Sequence, residues 1–335
     1  MILVTGGLGF IGSHIVLQLL SHGHEVVIVD NLSNASSQIL ERLEYISGMY
    51  IPFVKLDIRN TPALNKVFEQ YPVQAVVHAA GFKSLDESVL KPLDYYNDNV
   101  SCIMSLLRSM QRMGVRQLVC LSSLAVYGTS SRSLDEETAL NYSYANPYVK
   151  SLQMMENIIQ DTIAVDHDWN VAILRVANVG GGFQHGALGE YVKAMPRNIL
   201  PLAYQVAIGQ REYIELRENS TTNDQSSERS FIHVLDVTSA IYKTLQWLNN
   251  QTSVLEIFDI AGPVLSMKQL LEHVENVTGQ SIPTQASDFF DFEELAQIGS
   301  QSVKAQEILN WKIHFSHEDL IKDGWLFYQN LINHT

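Results

Sequence analysis

The chain is short of the residues that would place it most quickly. Cysteine occurs twice in 335 residues, at Cys102 and Cys120. That spacing suits neither a zinc ligand set nor a disulfide framework. One falls in a helical pattern and the other in an extended one, where a thiol behaves as a small buried hydrophobe. Positive charge is also scarce: 22 Lys and Arg stand against 36 Asp and Glu, a formal net charge of −14. With no long basic run, the electrostatic footprint of a nucleic-acid-binding protein is missing. No apolar run reaches the roughly 20 residues of a transmembrane helix. The first strand starts at once, without the basic segment of a secretory signal. The expectation is a cytoplasmic protein with neither membrane nor nucleic acid as partner. The 11 histidines form no His-x-x-x-His pair, so no metal is expected. No nucleophile-elbow motif points to a hydrolase.

What is present is concentrated at the start. Met1 to Val4 is an apolar run that reads as a buried strand, and apolar residues recur at helical spacing from Ile11 to Leu20. Between them lies Val4-Thr5-Gly6-Gly7-Leu8-Gly9-Phe10-Ile11-Gly12. Glycines on a strand-to-helix turn are what a dinucleotide needs. Gly6 can take a turn conformation closed to other residues. Gly9 lets backbone N–H groups approach a pyrophosphate at a helix N-terminus. Gly12 lets the helix pack close to the strand. A second apolar run, Val26 to Val29, ends at Asp30. There a Rossmann unit places the acid that binds the adenosine ribose hydroxyls, and its charge repels a 2′-phosphate. NAD is therefore the expected cofactor.

Strand patterns near 2–5, 25–29, 52–55, 74–78, 117–121 and 171–175 alternate with helical ones near 11–22, 36–47, 61–70, 92–112 and 147–165. This predicts an α/β fold: a Rossmann-type doubly wound parallel sheet with right-handed crossovers, and a smaller C-terminal α/β substrate lobe. Residues 1–178 form the cofactor domain, with about 231–260 returning to it, and 179–335 the substrate lobe. Ligands gather at the carboxyl ends of such strands. Asp57 and Ile58 there suit adenine, and the small Ala79, Ala80 and Gly81 leave room for the cofactor backbone. Lys83 either meets phosphate or ribose or is a solvated loop lysine. Asn99, inside a helical stretch, is either exposed or fixes the backbone beside the cofactor. Ser123 ends the fifth strand with a hydroxyl that can bond a substrate oxygen. Asn146 and Pro147 start a helix, with Tyr148 in its first turn.

These segments carry a resemblance. Val4 to His14, Asp30 to Asn34, Asp57 to Asn60, Glu87-Ser88-Val89, Pro92 to Tyr96, Asn99-Val100, Ser123 to Gly128, Pro147-Tyr148, Phe231 to Val234 and Leu309-Asn310-Trp311 resemble the extended short-chain dehydrogenase/reductase family. Within this NAD-dependent epimerase/dehydratase group the chain is most similar to sugar-nucleotide 4-epimerases, densely to residue 150 and patchily beyond. The resemblance implies 4-epimerisation of a UDP-hexose through a transient 4-keto sugar, with tightly bound NAD. It makes Tyr148 the general base and a cofactor contact, and Ser123 the group that orients O4. Phe10, Ile11, Asn31, Asn34 and Lys83 join the cofactor set, and Asn178, Asn198 and Arg229 the substrate set. It also implies a homodimer through helices carrying Ile103, Met104, Leu106 and Leu107 and the stretch Met154-Met155 to Ile158-Ile159, unless these only pack on the sheet.

The departures are specific. The family pattern Tyr-x-x-x-Lys reads Tyr148-Val149-Lys150-Ser151-Leu152 here. An ammonium at i+4 lies on the tyrosine's helix face and lowers its pKa; leucine does not. Lys150 points about 200° away, while Lys83 could reach in from another strand end. Leu216 and Arg217 stand where the family has an aromatic and a glycine around uracil. Asp288 to Glu294 is acidic where a second diphosphate arginine is expected. Glu218 to Glu228, polar and without apolar periodicity, reads as a mobile loop. The alternative is therefore a catalytically silent NAD-binding homologue with a regulatory or scaffold role.

Overall fold

The computed structural model describes residues 1–128, 134–142, 146–191, 196, 198–216, 224–286 and 297–333. Its centre is a seven-stranded sheet in which every pairing is parallel. The strands are β1 (Ile2–Thr5), β2 (Val26–Asp30), β3 (Phe53–Lys55), β4 (Ala75–His78), β5 (Gln117–Ser123) and β6 (Asn170–Val176), with Val254–Ile260 at the edge beside β6. In space the order is Val254–Ile260, β6, β5, β4, β1, β2, β3, so the chain reverses direction of travel next to β1. That reversal opens a crevice at the strand ends.

The strands read as continuous apolar runs because both faces are covered. Alternate residues go to opposite sides. Val4, Ile28, Val77, Val119 and Ala172 join one core, with α1 (Phe10–Ser21) and α2 (Gln38–Ser47) packed on it. Leu3, Val27, Val76, Leu118 and Val171 join the other. This second face carries α3 (Thr61–Gln70), α6 (Ser101–Arg112) and α7 (Pro147–Val165). Between α3 and α6 come two short helices, α4 (Leu85–Leu90) and α5 (Pro92–Tyr95).

The helix expected over 92–112 is not continuous. It is α5, then a π-helical turn at Tyr96–Val100, then α6. The wide turn inserts an extra residue into the helical ladder, a distortion common at functional sites. Here it carries Asn99.

Beyond β6 lie β7 (Asn178–Gly180), the short pair β8 (Gly182–Phe183) and β9 (Leu188–Gly189), α8 (Ile199–Ala207) and β10 (Ile214–Leu216). β11 (Glu228–His233) pairs in parallel with β7 and leads into α9 (Val234–Leu248). The edge strand Val254–Ile260 is β12, followed by β13 (Val264–Ser266), antiparallel to β11. Ser266 and Gln269 form a full capping box on α10 (Met267–Thr278). A separate apolar core fills this region, built from Leu200, Tyr204, Phe231, Leu270, Val274 and Leu320 among others. The expected loop Glu218 to Glu228 is corrected at its end: Ser226 and Ser227 are buried and Glu228 opens β11. Its first part, with Arg217, lies outside the described residues, as do Asp288 to Glu294.

The helices named as a dimer surface divide. Ile103, Leu106, Leu107, Met155 and Ile159 are buried in the core on the sheet, so they are packing residues. Met154 is exposed, as are Leu90 and Leu93.

Candidate active site

The glycine turn has the shape the sequence called for. Gly6 has φ of +68°, and a Cβ there would stand 2.8 Å from the Ala80 backbone. A Cβ on Gly12 would sit 2.0 Å from the Gly6 carbonyl oxygen. Both positions exclude side chains. Gly9 is the N-cap of α1 and supplies no capping side chain, and no acid occupies the first turn. The N-terminal amides near Phe10 and Ile11 and the positive end of the helix dipole are left for an anion. Asp30 closes β2 and is buried. Its Oδ2 accepts from the Leu8 N–H at 3.1 Å and its Oδ1 from the Leu32 N–H at 2.8 Å. Both bonds hold it in a fixed pose, and each oxygen keeps acceptor capacity for a ribose hydroxyl. Burial pushes its pKa up and the two N–H groups oppose that. These residues fit NAD: glycine clearance, an open helix N-terminus and a preset carboxylate stand together at the carboxyl ends of the adjacent strands β1 and β2.

Asp57 pairs with Arg59, which holds its carboxyl below the usual range, and Asn31 acts in the same direction. Asn34 is exposed on the same rim. The Ile58 carbonyl accepts from Ser105 Oγ at 2.6 Å. Ala79, Ala80 and Gly81 follow β4 beneath the glycine turn. Asn99 is buried, with 2% of its surface exposed. Its Oδ1 accepts from the Phe82 N–H at 2.9 Å and its Nδ2 donates to the Ser151 hydroxyl at 2.8 Å. Ser151 in turn donates to the Tyr148 carbonyl at 2.6 Å. Asn99 therefore ties the loop after β4 to the first turn of α7. Its exposed alternative is corrected.

Ser123 ends β5, where its Oγ accepts from the Ala125 N–H at 3.2 Å. The Asn146 side chain caps α7 by accepting from the Val149 N–H at 2.9 Å, which puts Tyr148 in the first turn. The Ser123 side chain stands near enough to the Tyr148 phenol to favour its ionised form, but burial is the larger effect and raises the phenol's pKa. Tyr95 packs edge-on to the Tyr148 ring, 6.3 Å between centroids. Leu152 points into the apolar core under α7, 7% exposed. Below the pair, Arg175 and Glu156 form a buried ion pair at 2.7 Å. Glu156 also accepts from Ser122 Oγ at 2.5 Å.

Lys83 is directed at Glu190: its Nζ pairs with Glu190 Oε1 at 2.8 Å. Asn198, the N-cap of α8, turns its Nδ2 to the same oxygen at 2.7 Å and makes no side-chain cap bond. Asn178 is exposed and donates to the Ser230 carbonyl at 3.2 Å. Arg229 is buried, and its Nη1 donates to the Glu228 carbonyl at 2.9 Å. Leu216 packs on the core of its own lobe. Phe10, Gly180, Glu190, Leu200 and Tyr204 line a narrow cleft of only ≈ 10 Å³. Sequence reasoning missed Glu190. A lone Glu after Gly189 has no periodic or motif signal; only its two partners reveal it. Cys102 and Cys120 are buried free thiols with pKa values pushed up by burial. Among the described residues no cluster of three His, Cys, Asp or Glu could hold a metal.

A parallel sheet with this turn, this acid and a Ser–Tyr pair across the crevice defines a dinucleotide-dependent enzyme of the α/β class. The profile of the NAD dependent epimerase/dehydratase family matches residues 2–261, and the chain belongs to that family. It is 33% identical over 335 residues to UDP-glucose 4-epimerase of Bacillus subtilis (strain 168), covering 99% of this chain and 98% of that one. The crystal structure of UDP-glucose-4-epimerase from Stenotrophomonas maltophila, with bound NAD and formylated UDP-arabinopyranose, is 32% identical with a TM-score of 0.94, covering 100% of this chain and 99% of that one. That of UDP-glucose 4-epimerase from Bifidobacterium longum, in complex with NAD+ and UDP, is 29% identical with a TM-score of 0.95, again covering 100% and 99%. Likeness over the whole chain favours an enzyme over a silent binder.

Proposed function

We propose that the protein interconverts the 4-epimers of a UDP-hexose, glucose and galactose or their N-acetyl analogues, with NAD as resident cofactor. The observation that carries this is the placement of Ser123, at the end of β5, beside Tyr148, in the first turn of α7, on a sheet whose first strand ends in the glycine turn. When bound, NAD supplies a site that takes hydride from C4 of the sugar and returns it to the other face. Asp30 holds the adenosine ribose, the amides of α1 the pyrophosphate, and Asp57 and Ile58 the adenine end. Ser123 orients O4, and Tyr148 takes the proton from it and returns it to the product. The ring turns over between the two hydride steps, so a loosely held sugar and a firmly held diphosphate suit the reaction. Asn178, Asn198 and Arg229 are the diphosphate groups in this reading.

Residues 1–178 serve as the cofactor domain and 179–335 as the substrate lobe; β12 beside β6 supports assigning 231–260 to the first. A homodimer is the assembly we favour, through the face bearing Leu93 and Met154, exposed by 81% and 47%. Among the described residues no helix is long and apolar enough to cross a membrane. The free thiols suit the reducing cytoplasm.

The test is to incubate purified protein and NAD with UDP-galactose and, separately, UDP-N-acetylgalactosamine, and resolve the 4-epimers by chromatography. Turnover above a Tyr148→Phe control is expected. No turnover while NAD remains bound overturns the assignment.

A further inference from the structure

Glu190 stands between a cation, Lys83, and Asn198, which the reading above assigns to the diphosphate. Lys83 comes from the loop after β4, and Asn198 from the start of α8. One carboxylate oxygen takes both, at 2.8 and 2.7 Å. Only 14% of the Glu190 side chain is exposed, against 51% for Lys83. It lines a narrow cleft together with Phe10 of the glycine turn and Leu200 of α8. Charges in such a crevice are weakly screened. Asn198 occupies an N-cap position and yet spends its side chain on Glu190. A carboxylate held there by a cation and an amide repels further negative charge and competes for both donors.

We propose that Glu190 is a charge filter that sets specificity for a diphosphate esterified at both ends, as in a nucleoside diphosphate sugar, over the free nucleoside diphosphate. This rests on the reading above that Asn198 meets the diphosphate. The chemistry distinguishes the two ligands by charge. The sugar ester caps the terminal phosphate and removes its second ionisation, so free UDP at pH 8 carries one more negative charge than UDP-glucose. That charge falls at the sugar end of the diphosphate, the end nearest the reacting centre. An enzyme that must keep its substrate while meeting free nucleotide gains from this penalty, since free UDP would otherwise block the site.

Glu190→Gln keeps the size and an oxygen acceptor for Lys83 and Asn198 while removing the charge. Calorimetric titration of wild type and variant with UDP and with UDP-glucose, at low salt and pH 8, tests the proposal. One unit charge removed at this range in a partly wet crevice predicts UDP binding tighter by about tenfold, and UDP-glucose by about threefold. The UDP to UDP-glucose affinity ratio thus rises by about threefold. An unchanged ratio overturns the filter, as does weaker binding of both ligands. If wild type binds neither ligand, the sugar-nucleotide reading falls and the filter with it. Should the variant not fold by circular dichroism, a salt series on wild type decides. The penalty on UDP relative to UDP-glucose should shrink as salt rises; a ratio that falls with salt overturns the proposal.

Discussion

At the scale of single residues, position 152 governs the chemistry proposed here. A buried phenol with its pKa raised, and Leu152 turned into the core, leave Tyr148 with little help from the protein in losing its proton. An ordinary tyrosine at pH 7 is only about 0.1% phenolate, and burial lowers that further. The base form is the active one, so each pH unit below the pKa costs roughly tenfold. Turnover by the wild type should therefore climb steadily from pH 7 to pH 10 without a plateau. Leu152→Lys places an ammonium one helical turn from the phenol. Its stem can lie along the apolar path that Leu152 now fills while the head reaches the crevice. The rate at pH 7 should rise on the order of 10²-fold and the pH profile should flatten towards neutrality. Rate measurements across that pH range check both points. No gain from a variant that melts normally would mean that this position does not limit the reaction.

At the scale of elements, the π-helical turn Tyr96–Val100 has a definite task. A regular helix from Pro92 to Arg112 would place Asn99 differently around the axis. The widened turn brings it to Phe82 on one side and Ser151 on the other. Gly81, with φ of +158°, passes so close that a Cβ there would lie 2.9 Å from Asn99 Oδ1. The loop after β4, the turn and α7 are thereby one unit. Asn99→Ala deletes buried hydrogen bonds and strands the Phe82 N–H, a loss of about 1–3 kcal/mol. NAD affinity should fall about tenfold or more, read by fluorescence titration, and hydrogen exchange should quicken in both Phe82 and the first turn of α7. An effect confined to the loop, with α7 unchanged, would contradict the linkage.

At the scale of the whole molecule, buried titratable groups set how stability responds to pH. His14, His78 and His233 are buried and held neutral, each pKa lowered to about 4 by burial. The unfolded chain takes up their protons first, so stability present above pH 6.5 drains away as pH falls towards 4. Asp259 acts in the opposite sense. It lies at the end of β12, where its Oδ1 accepts from the Tyr127 hydroxyl at 2.8 Å and its N–H donates to Glu136 at 2.8 Å. Burial raises its pKa from 3.8 to about 7. The folded state binds this proton more tightly, so its contribution is complete below pH 3.8 and is lost as pH rises through 7. Asp259→Asn keeps an acceptor for Tyr127 and removes the charge. Its melting temperature should exceed that of wild type by a few °C at pH 8, with the gap closing at pH 5. A gap of equal size at both pH values would show that the carboxyl is not the cause. The wild type itself should lose several °C between pH 6.5 and 4.5.

Much of this was written in local pattern. Strand–helix alternation, the glycine turn and Asp30 depend on residues close in sequence, whose spacing alone dictates period, clearance and the end of a strand. The first domain's sheet and the cofactor class were legible on that basis, whereas the roles of Ser123 and Tyr148 came from the resemblance. Other features required the chain to be folded. Asn99 becomes a clamp only because α7 passes beside a widened turn. Glu190 matters only because Lys83, more than a hundred residues away, meets it across the crevice. Arg175 and Glu156 bury each other's charge from a strand and a helix. Ile103 and Leu106 read as a surface stripe until the sheet covers them. Local steric rules act on a few consecutive residues and survive translation into sequence. Pairing of charges and burial of faces depend on which distant segments are brought together, and that only the tertiary structure decided.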